Sequence, residues 1–311
     1  MSVNKVAIIG ECMLELSKTD STLQYSFGGD TLNTAIYLSR LTTSTAAEIS
    51  YLTGLGSDPF SREMLKNWQS ENLNTDMVHI SKSKQPGIYA IETAEDGERS
   101  FYYWRNDSAA KYWLRELQEH QLDDLANVLC HCNIIYLSGI SLAILPVDCR
   151  ERLFKLLTLC HESQVQIIFD NNYRPALWES IDVARNTYER LLRLTDTAFL
   201  TFDDEVLLYG DETEQDSIAR TQQLGVKEIV MKRGSDDCYV ITDSEFITVT
   251  ANKVDNVVDT TAAGDSFSAG YMAKRLTGGT PYDSAVSGHA LASTVIQHHG
   301  AIIPQTAMPQ L

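Results

Sequence analysis

The chain has 311 residues, enough for one large α/β domain or two modest ones and for a substantial buried core. Its 25 basic and 42 acidic side chains leave a net charge of −17, which repels phosphate backbones and anionic lipid and so argues against nucleic acid and membrane surfaces as partners. An anionic ligand would need a locally positive pocket built from arginines, lysines and helix N-termini.

The chain opens with MSVNKVAIIGE, an apolar run too short for a secretory signal and without a small-residue cleavage pattern. No later segment approaches a membrane span, so a cytoplasmic protein is expected. Six β-branched apolar runs follow one another: VAIIG from Val6, ISYLTG from Ile49, NIIYLSG from Asn133, VQIIFD from Val165, TAFLT from Thr197 and KEIVMKRG from Lys227. Each reads as a strand buried on both faces. Helical patterns run from Thr31 to Leu41, Val147 to Cys160, Ile181 to Leu194, Ser217 to Leu224 and Tyr282 to His298. This alternation predicts an α/β fold, a mostly parallel sheet with helices on both sides.

Two segments break the alternation. Between Cys12 and Phe27, MLEL and LQYSF flank polar TDST; from Gly87 to Trp104, two strand-like runs flank Glu95-Asp96-Gly97, a hairpin signal. A small β lid over 12–26 and 85–107 is expected, beside a main domain over 1–11, 27–84 and 108–311. The six cysteines are scattered and read as reduced thiols. Cys130 and Cys132 have no second pair at zinc spacing and read as the start of a buried strand. His289, His298 and His299 read as surface or packing residues.

Two short stretches point to chemistry. In GGDTLNTA, from Gly28, two glycines run into an amphipathic helix with Asp30 and Asn33 on its first turn, side chains suited to a polyhydroxylated ligand. In DTTAAGDSFSAG, Asp259 to Gly270, small residues stand where a strand turns into a helix. That stretch reads either as a capped helix start or as an anion site, in which backbone N–H groups at the helix N-terminus face a ligand with Asp265 beside them as proton acceptor. No G-x-x-x-x-G-K-[ST] loop occurs, and no G-x-G-x-x-G follows the first strand.

Together these stretches resemble the ribokinase-like (PfkB-type) carbohydrate kinases, from about Val3 to Pro304. FYYWRNDSAA, DNNYRPALW and FDDE are most similar to members that act on a sugar acid. The resemblance implies a ribokinase-like three-layer α/β/α fold with a small β-sheet lid, and ATP-dependent phosphorylation of a sugar acid with ATP and Mg2+. Asp265 would be the general base, with the Ala262, Ala263, Gly264 and Asp265 backbone as the anion hole. Gly29, Asp30, Thr31, Leu32 and Asn33 would bind substrate, with Tyr89, Tyr103 and Arg105 from the lid and Arg174 from DNNYRP. Arg105 and Arg174 suit a carboxylate because a guanidinium meets it bidentately.

The nucleotide would meet Asn172, Lys232, Arg233, Gly234 and the 262–264 backbone. Turn chemistry explains Asn172 equally well, and a solvated turn explains KRGSDD. Glu205 would help hold Mg2+, although Phe202 stands where the family's motif has Asn. Phe101 and Trp104 are expected to pack on the main sheet, and a homodimer through the lid is expected. A kinase for a neutral sugar and a non-catalytic sugar-acid-binding regulator are the competing readings.

Overall fold

Period-two alternation decides how the chain buries itself. In the strand Asn4–Ile9, Ala7 and Ile9 join one hydrophobic cluster while Val6 and Ile8 join another, and all four are buried. A strand apolar on both faces needs cover on both, which helices supply.

The computed structural model describes residues 3–19, 22–43, 46–93 and 99–311. Its strands in chain order are β1 (Asn4–Ile9), β2 (Met13–Thr19), β3 (Thr22–Gly28), β4 (Ala47–Leu52), β5 (Gly54–Leu55), β6 (His79–Ile80), β7 (Ile88–Thr93), β8 (Arg99–Trp104), β9 (Ile134–Ser138), β10 (Gln166–Asp170), β11 (Thr197–Thr201), β12 (Glu228–Lys232), β13 (Cys238–Ile241) and β14 (Phe246–Val249). Eight form one sheet in the order β14-β13-β12-β11-β10-β9-β1-β4. From β12 to β4 every pairing is parallel; β13 and β14 close the edge antiparallel. The six expected strands are all present. The antiparallel pair was not anticipated: each strand has only four residues, and β14 is largely open to solvent.

The division seen in β1 recurs across the sheet. Ile135, Ile167, Ala198 and Ile229 face one layer of helices, while Tyr136, Ile168, Phe199 and Val230 face the other. The second layer contains the helices Asp30–Leu41, Ala263–Leu276 and Pro281–Val295, which carry the two stretches singled out above. No helix among the described residues is long and apolar enough to cross a membrane.

β3, β2, β7 and β8 form a separate four-stranded sheet. The expected turn at Glu95-Asp96-Gly97 lies outside the described residues. On β8 the aromatics do not pack on the main sheet as expected: Phe101 is 42% exposed and Trp104 61%.

Helix starts differ in a way that matters for chemistry. Pro281–Val295 begins with a Thr280/Asp283 capping box, and Pro59–Ser70 with an Asp58 cap. Ala263–Leu276 begins with no side-chain cap. Its register against Pro281–Val295 is set at Gly270, where a Cβ would lie 2.8 Å from the Ser287 carbonyl oxygen and 3.0 Å from Gly288 Cα. Gly270→Ala is therefore expected to push two backbones apart and cost about 1–3 kcal/mol, measured as a lower urea midpoint with unchanged slope.

Candidate active site

Parallel strands deliver their C-terminal ends to one edge of a sheet, where open α/β folds bind ligands. Here β10 ends in Asp170, β11 in Thr201 and β12 in Lys232. Two cavities of comparable size, about 350 and 360 Å³, open above this edge and share Thr201, Lys232 and Gly264 as walls. Gly264 borders Lys232: a Cβ there would lie 3.4 Å from the ammonium.

The first cavity is the more polar of the two and holds the acidic side chains. Gly29, Asp30 and Asn33 reach it from the start of Asp30–Leu41, Tyr89 and Tyr103 from the lid, and Arg174 from beyond β10. Asp265 lies in its floor, where Asn33 Nδ2 donates to Asp265 Oδ2 at 2.8 Å. Burial pushes the Asp265 carboxyl up to about 8, the Asp30 carboxylate adds to the shift and the Asn33 hydrogen bond opposes it. Over the opening, the Tyr89 and Tyr103 rings stack at 5.9 Å and Tyr103 stacks on Phe101 at 6.5 Å. Phe101 lines the cavity, a role that the sequence reading did not give it.

The second cavity is mainly apolar and bounded by Arg233, Gly234, Ala263, Phe267 and Ile296. Gly234 has φ +62°, a left-handed conformation that favours glycine. Arg233 is fastened to Glu214 at 2.7 Å. His289 also lines this cavity, set edge-on to Phe267 at 5.1 Å. Burial lowers its pKa, and its buried Nε2 has no partner among the described residues. Its apolar helical setting gave only the packing half of that role.

Between the cavities lies the uncapped start of Ala263–Leu276. The Ala263 N–H donates to the Thr260 carbonyl at 3.1 Å, and the Ser266 N–H to the Ala262 carbonyl at 2.9 Å. The Gly264 and Asp265 N–H groups meet no acceptor among the described residues. The open part of the helix end is thus narrower than 262–265, and Ala262 is buried behind it, lining neither cavity.

Several other expected residues are placed elsewhere. Thr31 and Leu32 point into the core, with Thr31 Oγ1 3.0 Å from the Tyr51 hydroxyl. They follow the buried side of their helix. Arg105 is outside the cavity walls, paired with the buried Glu11 at the foot of the lid, where Ser108 Oγ also donates to Glu11. A carboxylate of the protein itself thus occupies that guanidinium. Asn172, at φ +28°, donates to Asp30 Oδ2 at 2.6 Å on the polar side, away from the apolar cavity.

Glu205 is buried, with Asn171 Nδ2 at 2.8 Å on one oxygen and Arg220 at 2.5 Å on the other. Both oxygens are engaged, so direct metal coordination is not what this geometry offers. Asp204, not singled out in the sequence, lines the polar cavity and accepts from Arg174 at 3.4 Å. Burial raises its pKa against the pull of Arg174.

The described residues contain no group of three or more His, Cys, Asp or Glu side chains arranged to hold a metal ion.

The model of the pfkB family carbohydrate kinases matches residues 3–308. The 2-dehydro-3-deoxygluconokinase of Escherichia coli (strain K12) is 50% identical over 309 residues, covering 98% of this chain and 99% of the relative. The solved 2-dehydro-3-deoxygluconokinase of Thermotoga maritima shares 19% identity at a TM-score of 0.83, covering 97% of this chain and 95% of that one. A candidate ribokinase II from Escherichia coli, solved with ATP and Mg2+, shares 21% identity at a TM-score of 0.82, covering 96% and 94%. The ribokinase-like fold is thus common to this chain and both solved structures, and the chain belongs to the pfkB family of carbohydrate kinases.

Proposed function

We propose that the protein is an ATP-dependent 2-dehydro-3-deoxygluconokinase that transfers the γ-phosphoryl group of MgATP to the 6-hydroxyl of 2-dehydro-3-deoxy-D-gluconate. The observation that carries this reading is the meeting of an apolar and a polar cavity at Gly264, with Asp265 on the polar side only. The half-identical relative is itself a 2-dehydro-3-deoxygluconokinase.

In this reading the apolar cavity holds the nucleotide, its phosphates passing Gly234 and Lys232. Asp30, Asn33, Tyr89 and Tyr103 face the sugar acid, and Arg174, half exposed at the cavity wall, takes its carboxylate. Asp265 accepts the hydroxyl proton as that oxygen attacks the γ-phosphorus and the bond to ADP breaks. The open Gly264 and Asp265 amides meet charge on the transferring group. Mg2+ offsets phosphate charge and comes with ATP.

A homodimer through the lid belongs to the same reading. Leu23 and Tyr102 are exposed on the lid sheet, as is Trp104. Sedimentation at several concentrations checks the stoichiometry.

ATP consumption across 2-dehydro-3-deoxygluconate, gluconate, fructose, ribose and adenosine tests the assignment; preference for a neutral sugar overturns the substrate, and no turnover with any overturns the kinase. Asp265→Asn is expected to lower kcat by about 10²–10⁴-fold with both substrates saturating. Equal kcat in that variant would remove Asp265 as base.

Because Asp265 must be ionised to accept a proton and its pKa is pushed up to about 8, kcat/KM should climb between pH 6 and 8 and level above. A flat profile over that range contradicts the base assignment. The same shift affects stability with the opposite sign. An acid whose folded pKa lies above its ordinary 3.8 favours the fold fully below that value, and this contribution is lost as pH rises towards 8. Asp265→Asn escapes the loss, so its Tm should exceed that of the parent at pH 9 by about 2–4 °C more than at pH 5.

A further inference from the structure

Asp170 is a buried carboxylate with no part in the mechanism so far. Its Oδ2 accepts from Lys232 Nζ at 2.7 Å, Ser268 Oγ at 3.0 Å and the Tyr136 hydroxyl at 3.4 Å. Lys232 belongs to β12, two strands away across β11, and its side chain is only 11% exposed. Its ammonium lies 5.9 Å from the centre of the Phe199 ring and beside Gly264, on the wall that both cavities share.

Burying an ion pair adds little net stability, since desolvation of both groups offsets their attraction. What the pair does provide is a cation fixed in place. Ser268 lies three residues after Asp265, on the same face of the same helix, so the helix that carries the base also anchors the acid that holds the lysine.

We infer that Asp170 is a positioning residue that holds the Lys232 ammonium against the phosphoryl group while it passes between the cavities, which makes Lys232 catalytic as well as nucleotide-binding. The inference rests on the kinase reading. In the step, the γ-phosphorus bond to the ADP oxygen breaks and that oxygen keeps the electron pair. A bond to the sugar hydroxyl oxygen forms, and the hydroxyl proton goes to Asp265. Lys232 keeps its proton throughout and meets the charge spread over the three phosphoryl oxygens. Without Asp170 the lysine stem is free to turn towards either cavity, and the charge is no longer held where it is needed.

Steady-state kinetics of Asp170→Asn, Lys232→Met and the double variant test this, together with calorimetric binding of MgADP and melting curves. Each single change should lower kcat by about 10²–10³-fold. The MgADP Kd of Asp170→Asn, in which the ammonium itself is retained, should stay within about threefold, a split that general loss of structure does not produce. The double variant should be no slower than the slower single, because the two residues act as a unit.

A kcat for Asp170→Asn within about threefold of the parent overturns the inference, as does a loss confined to KM or a double variant whose loss is the product of the two singles. If Asp170→Asn does not fold, Tyr136→Phe and Ser268→Ala remove donors from the same oxygen. They should lower kcat with KM retained, and an unchanged kcat in both overturns it. Absence of turnover in the parent chain itself would instead defeat the kinase reading.

Discussion

A carboxylate sunk into a cavity floor costs free energy, and the C-terminal edge of the sheet is arranged around that cost. Asp265 is raised mainly by loss of water and secondly by Asp30, while the Asn33 amide hydrogen bond and, more weakly, the Lys232 ammonium pull it back. Its neighbours divide the task of keeping it usable. Asn172 holds Asp30 by one oxygen, and Lys232 faces Asp170. Asp204 is shared between the Tyr173 backbone and Arg174. Each acid at this edge therefore has a named donor, which is what allows several carboxylates to stand near a site that must receive an anion.

The overall charge of −17 makes that local order more necessary. Such a field disfavours ATP and a sugar acid alike. The counterweight is three local features: the half-exposed Arg174, the enclosed Lys232, and a helix N-terminus without a cap. Pro281–Val295 and Pro59–Ser70 place Thr280 and Asp58 over their amides, whereas the two helix starts at the site, Asp30–Leu41 and Ala263–Leu276, carry no side-chain cap.

Much of this was legible in the sequence, for physical reasons that differ by element. Strands buried on both faces announce themselves as unbroken β-branched runs, so all six parallel strands could be read; β13 and β14, short and partly wet, could not. Asp30, Asn33, Gly264 and Asp265 were readable because motif and helix phase agree. Thr31 and Leu32 were not, because adjacent motif residues on a helix point to different sides. Long-range partners gave no sequence signal. Nothing in FDDE tells that Arg220 will occupy Glu205, nothing in FYYWR that Glu11 will occupy Arg105, and nothing in VQIIFD that Asp170 will meet a lysine two strands away.

The lid leaves and rejoins the main body at two places in the chain, between Glu11 and Gly29 and again around Gly87 and Arg105, and the Glu11–Arg105 pair ties these crossings together. It is therefore not a detachable module. A chimera that exchanges one excursion but not the other would place two strands of foreign origin within a four-stranded sheet and split the buried ion pair at its root between two parents, so exchange among relatives is best made with both segments and Glu11 carried as one block.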